Sequence, residues 1–197
     1  MTHSETIRKL VSLPTLQAAR GLIGCFLTTR IGGVETGGMI VETEAYHGKD
    51  DEASHSFGRR TPRNEVMFGK PGSCYVYFIY GMHYCVNVVT EEEGVGAAVL
   101  IRALEPLRGV DTMMKRRNVH DIHRLTSGPA MLCEALAIDR SLLGADLLSS
   151  PLISLEPGRS FNEREIGRST RKGISRSTHL EWRFFLEGNR FVSGRGG

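Results

Sequence analysis

The chain has 197 residues, with 25 lysines and arginines against 22 acids and a net charge of +3. That length fits one domain over residues 1–197 with a substantial core and is short for two, and so small a charge does not by itself identify a nucleic-acid protein. No apolar run opens the chain as a signal peptide would and no stretch approaches a membrane span, so a cytoplasmic protein is expected, nucleoid-associated in a bacterium or nuclear in a eukaryote.

In chain order, "LPTLQAARGLIGCFL" places Pro14 before apolar residues at helical spacing, which predicts a helix from about Thr15 that delivers the chain into a strand near Cys25. "RIGGVETGGMIVETEAY" has a glycine-rich turn ahead of an alternating run, which is hairpin grammar. "GSCYVYFIYGMHYCVNVVT" supplies two β-rich runs around "YGMH", and "GAAVLIRALEP" another strand. "SGPAMLCEALAI" predicts a helix begun at Ser127 with Pro129 in its first turn. "HLEWRFFLEGNRFVS" has strand character, and the closing "GRGG", residues 194–197, is expected to fray. Strands in the middle with helices on either side predict an α+β fold on a curved, mostly antiparallel sheet.

Charge is unevenly spread. Val41 to Gly58 carries five acids and one lysine, Pro151 to the end carries nine lysines and arginines against five acids, and "MMKRRN" adds a basic run. This suits one basic face for a polyanion with an acidic patch elsewhere, against the bland alternative of scattered, solvated arginines. Cys25, Cys74, Cys85 and Cys133 lack zinc-knuckle spacing and read as buried thiols of a reducing compartment.

The stretch "VETEAYHGKDDEASHSFG" raises the chemical question. Alternation puts Glu42, Glu44 and Tyr46 on one face of a strand, where an unpaired buried carboxylate is costly. A metal site would draw on His47, Asp50, Asp51, Glu52 and His55, or on His120 with His123. No pair there has the facing helical spacing of zinc motifs, and Gly48 interrupts the element. No "GxSxG" elbow and no specific phosphate loop occurs. Tyr46, His55, Tyr75, Tyr77, Tyr80 and Tyr84 crowd into under forty residues. Strand preference explains any one of these rings. Rings beside a carboxylate are also what a pocket for a planar, electron-poor heterocycle needs.

These motifs, together with "DEASHSFGRRTPRNEVMFGKPGSCYVYFIYGMHYCVNV", "VLIRALEP" and "WRFFLEGNRFVS", resemble the alkyladenine (3-methyladenine) DNA glycosylases, in order from about Leu16 to Ser193. The resemblance implies a monofunctional N-glycosidic bond hydrolase without lyase activity, and it calls for no metal or other cofactor. It implies action on duplex DNA containing damaged purines, and a monomer is expected. It assigns the general base to Glu44, a choice that alternation alone leaves open between Glu44 and Glu42, and so Glu42→Gln is expected to keep most activity. Tyr46, His55 and Tyr77 become walls for a flipped base, Asn87 a pocket residue and Tyr80 a wedge in the duplex. Arg102 helps hold the attacking water, with the main-chain carbonyl near Lys172 as a further water partner, although the Lys172 side chain departs from the family pattern. Arg59, Arg60 and Arg63, with C-terminal arginines, are expected on phosphates. The rival expectation is a damaged-DNA-binding module that does not cut.

Overall fold

The computed structural model describes residues 2–194, so the expected frayed tail falls almost wholly outside the described residues. Two helices, α1 (His3–Val11) and α2 (Thr15–Gly21), lead into strand β1 (Phe26–Ile31) and the 14-residue strand β2 (Val34–His47). The two strands form an antiparallel hairpin through Gly32 and Gly33, both at positive φ, the geometry a tight two-residue turn demands. Then follow β3 (Cys74–Ile79), β4 (His83–Thr90), β5 (Ala97–Arg108), α3 (Val110–Arg117), α4 (Pro129–Ala135), β6 (Ile153–Glu156), β7 (Ile166–Ser169) and β8 (Arg183–Leu186). Strand pairing is antiparallel in the order β3-β4-β5-β2-β1-β6, with β8 joining β2 to β7. The fold is α+β on a curled antiparallel sheet.

The core fills the space between this sheet and the helices, with Ile40, Val41, Ile101, Leu104, Leu132 and Leu136 fully buried. All four cysteines are free and buried, as their apolar neighbours foretell. Among the described residues no helix is long and apolar enough to cross a membrane.

Several elements depart from the sequence reading. Helix α4 starts at Pro129 behind Gly128 rather than at Ser127, whose hydroxyl instead donates to the His123 carbonyl. In the C-terminal run only Arg183–Leu186 is strand. Helix α1 has no counterpart among the expected elements, although Thr2 and Glu5 cap it reciprocally, each side chain bonded to the other's backbone N–H. Helix α3 contains the basic run, with Met113 on its buried side and Lys115, Arg116 and Arg117 in the last turn, where cations complement the helix dipole.

One irregularity positions the site. Strand β2 is paired along one edge with β5, and there Ile40 faces Leu104, Glu42 faces Ala103 and Thr43 faces Ile101. Val41 is therefore an extra residue on β2 and Arg102 an extra residue on β5. Paired bulges of this kind bend the sheet and re-aim side chains. They bring Arg102 against both glutamates.

Candidate active site

Glu42 and Glu44 are wholly buried, and neither is unpaired. Oε1 of Glu44 accepts the Lys172 backbone N–H at 2.8 Å and lies 3.3 Å from the Arg102 guanidinium; Oε2 accepts the Tyr46 hydroxyl at 2.8 Å. Glu42 accepts from Arg183 at 2.5 Å, from the Ser193 N–H at 2.6 Å and hydroxyl at 2.8 Å, and from Arg102 at 3.2 Å. Arg102 thus bridges two carboxylates. Burial works against its charge, but Glu44 and then Glu42 outweigh it and raise its pKa. Burial, followed by the neighbouring Glu44 charge and hydrogen bond, pushes the Tyr46 phenol far above its usual range, so Tyr46 remains the donor.

In front of Glu44 lies a cavity of about 490 Å³, within the range of small-molecule sites. Tyr46, His55, Tyr77, Tyr80, Asn87, Arg102 and Lys172 all line it. Glu44 sits behind this lining, bonded to three of its members. The rings converge: His55 meets Tyr77 edge-on at 4.6 Å, and its Nδ1 is 2.9 Å from the hydroxyl of the fully buried Tyr75. Desolvation and then Arg63 lower the His55 pKa. Asn87 is fixed by a 3.1 Å bond to the Tyr75 carbonyl. Tyr84 instead packs on Phe78 at 5.0 Å.

Tyr80 is 79% exposed at the tip of the β3–β4 hairpin, flanked by exposed Phe78 and Met82. Its φ of 55° is left-handed, costly for a residue with a Cβ, and Gly81 follows at 70°. Such strain at an exposed ring motivates a functional reading.

The loop arginines do not line this cavity. Arg59, Arg60 and Arg63 are exposed, and Arg60 is engaged with Glu65 and stacked 5.3 Å over Phe68. Arg59 and Arg60 border a separate surface hollow with Lys49 and Phe57.

The expected acidic patch is not one. Of its five acids Glu42, Glu44 and Asp51 are buried in ion pairs, because each meets an arginine from another strand or loop. Asp51 takes a two-pronged contact from Arg171 at 2.6 and 2.7 Å. Among the described residues no group of three or more His, Cys, Asp or Glu side chains is placed to hold a metal ion. His120 is exposed, while His123 faces Phe191.

Sequence reading missed Met67, Cys85 and Leu100 in the cavity wall, and the clamp of Asp51, Arg171 and Trp182 behind Tyr46. The apolar wall residues look like ordinary core in sequence. The clamp joins segments 120 positions apart, for which a single sequence carries no signal.

Comparison with known proteins gives a consistent assignment. Residues 9–190 match the family described as "Methylpurine-DNA glycosylase (MPG)". A protein of Carboxydothermus hydrogenoformans named "Putative 3-methyladenine DNA glycosylase" is 45% identical over 94% of this chain and 97% of its own length. Proteins with the same name from Chlorobaculum parvum and Methanoculleus marisnigri are each 47% identical, over 91% and 92% of this chain and 86% and 94% of their own lengths.

Proposed function

The chain belongs to the methylpurine-DNA glycosylase family and is a DNA glycosylase, an N-glycosidic bond hydrolase; from this premise we propose that its single domain works as a monomer, extrudes a damaged purine from duplex DNA and releases it by Glu44-assisted hydrolysis. The observation that carries the reading is the juxtaposition of Glu44, bonded through Tyr46, Lys172 and Arg102, with an aromatic cavity those same residues line.

Extrusion comes first, since the glycosidic carbon is hidden in the stack. It costs roughly a few kcal/mol, least for a damaged or mispaired base. The exposed Tyr80 ring fills the vacated step and offsets part of that cost. Tyr46, His55 and Tyr77 enclose the purine, with Asn87 on its edge. Basic loop residues, among them Arg59, Arg60 and Arg63, hold phosphates without reading sequence.

Departure of the purine leaves an oxocarbenium-like sugar, which a buried glutamate stabilises by its charge. Each carboxylate oxygen offers two lone pairs, and Oε2 of Glu44 accepts one bond, so a direction remains for a water whose proton it takes. Arg102 and the Lys172 carbonyl hold that water. General-base assistance of this sort contributes ~10²–10⁴-fold.

The substrates are alkylated purines, 3-methyladenine and 7-methylguanine, which depart easily because alkylation leaves the base cationic in DNA; hypoxanthine and ethenoadenine are the neutral candidates, which must take up a proton to leave. A binding module that does not cut leaves a buried carboxylate behind the cavity without a purpose. The test is a set of duplexes carrying one lesion each, with the freed base identified by chromatography. Release of an intact purine supports the reading, and no release from any lesion refutes it.

A further inference from the structure

Behind the cavity wall lies a charged group that the proposed reaction does not use. Arg171 is fully buried, and its guanidinium carbon sits 4.5 Å from the centre of the Tyr46 ring and 5.3 Å from that of Trp182. It donates to the Ala45 carbonyl at 2.9 Å and to both oxygens of Asp51. Its Nε is buried without a partner. Tyr46 lines the cavity and Arg171 does not, so the cation covers the ring face turned away from it.

A purine stacked on the open face of Tyr46 therefore shares that ring with a cation already in place. An aromatic face attracts positive charge through its quadrupole, and a cation on one face opposes a second on the other by direct repulsion through the ring. Neutral purines feel no such opposition. The other charges around Tyr46 are Glu44 and Arg102, which pair with one another, and Asp51, which screens part of the Arg171 charge.

We propose that Arg171 is a specificity-determining residue: its charge, held against the back of Tyr46, reduces the preference of the pocket for cationic purines over neutral ones. This rests on the reading of Tyr46 as a wall for the extruded base. The bland alternative is that Arg171 only ties residues 48–58 to residues 170–174, in which case its loss weakens binding of every lesion alike.

Two substitutions separate these. Asp51→Asn keeps the side-chain volume, leaves Arg171 on the Ala45 carbonyl and removes the screening charge. Asp51→Asn with Arg171→Gln replaces the ion pair by a neutral pair. The readout is the ratio of dissociation constants for two duplexes, one carrying 7-methylguanine and one ethenoadenine, each with a 2′-fluorinated sugar that resists base release. Extrusion costs cancel in the comparison between variants. Relative to wild type, the single variant should shift the ratio against 7-methylguanine and the double variant in its favour, each by about threefold to tenfold, the scale of a cation–π contact. A ratio unmoved in both, or moved the same way in both, overturns the proposal; if one variant does not fold, the direction of the other decides. Wild-type protein that releases no base from the unfluorinated duplexes would instead sink the glycosylase reading of the site.

Discussion

Replacing each buried glutamate by glutamine should give opposite phenotypes, because their partners differ in what they can accept. In Glu44→Gln the amide oxygen can keep the Lys172 N–H and Arg102, while the new NH₂ faces the Tyr46 hydroxyl, which can accept. Each of the three partners keeps a hydrogen bond, only the Tyr46 phenol proton must turn to a new acceptor in the cavity, and the loss of one charge-assisted contact costs about 1–2 kcal/mol. Glu42 has no such orientation. One oxygen faces Arg183, Arg102 and the Ser193 hydroxyl, the other faces the Ser193 N–H, and an NH₂ on either side confronts a donor. It also strips the carboxylate from buried Arg183, a break of the kind that costs about 3–5 kcal/mol. For a chain of this size that lowers the melting temperature by on the order of 10 °C.

Thermal melts followed by circular dichroism, with single-turnover release measured on the folded fraction, test both halves. Glu44→Gln should melt near wild type with release reduced ~10²-fold or more; Glu42→Gln should melt far lower while each folded molecule keeps more activity. The expectation that Glu42→Gln keeps most activity thus applies to each folded molecule, and the contacts of Glu42 add a cost in stability. Equal melting temperatures, or a Glu44 variant less stable than the Glu42 variant, would refute the hydrogen-bond reasoning.

Tyr80→Ala should leave the melting temperature nearly unchanged, since the ring is exposed, and should cost on the order of 1–3 kcal/mol in extrusion. The loss should be larger for a stably paired lesion than for the same lesion mispaired, and an equal deficit on both removes the wedge role. Chelators should not affect release, because Asp51 is committed to Arg171, His55 to Tyr75 and His47 to Glu91; loss with EDTA restored by zinc would contradict this. His55 resists protonation in the fold, so below its ordinary pKa the unfolded chain binds more protons and stability falls as pH drops from about 7 to about 5. His55→Gln should flatten that fall in melting temperature, and parallel curves would count against it.

The strands of the sheet are legible in the sequence because β-branched and aromatic residues alternate between glycine turns, and Tyr46 and Tyr77 stand on them. The tip of the hairpin is legible too, from Gly81 after Tyr80. What the sequence does not carry is the pair of bulges at Val41 and Arg102, since period two assumes an unbroken ladder. Without those bulges nothing shows that one arginine bridges both glutamates. Ser193 reaches Glu42 across 151 positions, and no local pattern encodes such a contact. The basic run of α3 reads as a solvated charge cluster until Met113 is seen to be buried.

Whether Glu44 drives hydrolysis of one glycosidic bond in damaged DNA is read by following a duplex with a single 7-methylguanine through wild-type and Glu44→Gln protein. Wild type should leave an abasic site that breaks only after alkali, while Glu44→Gln binds the same duplex within about tenfold and leaves it intact on that timescale. Wild-type-like scission by the Glu44→Gln protein, or strand breakage by wild type without alkali, would contradict the account.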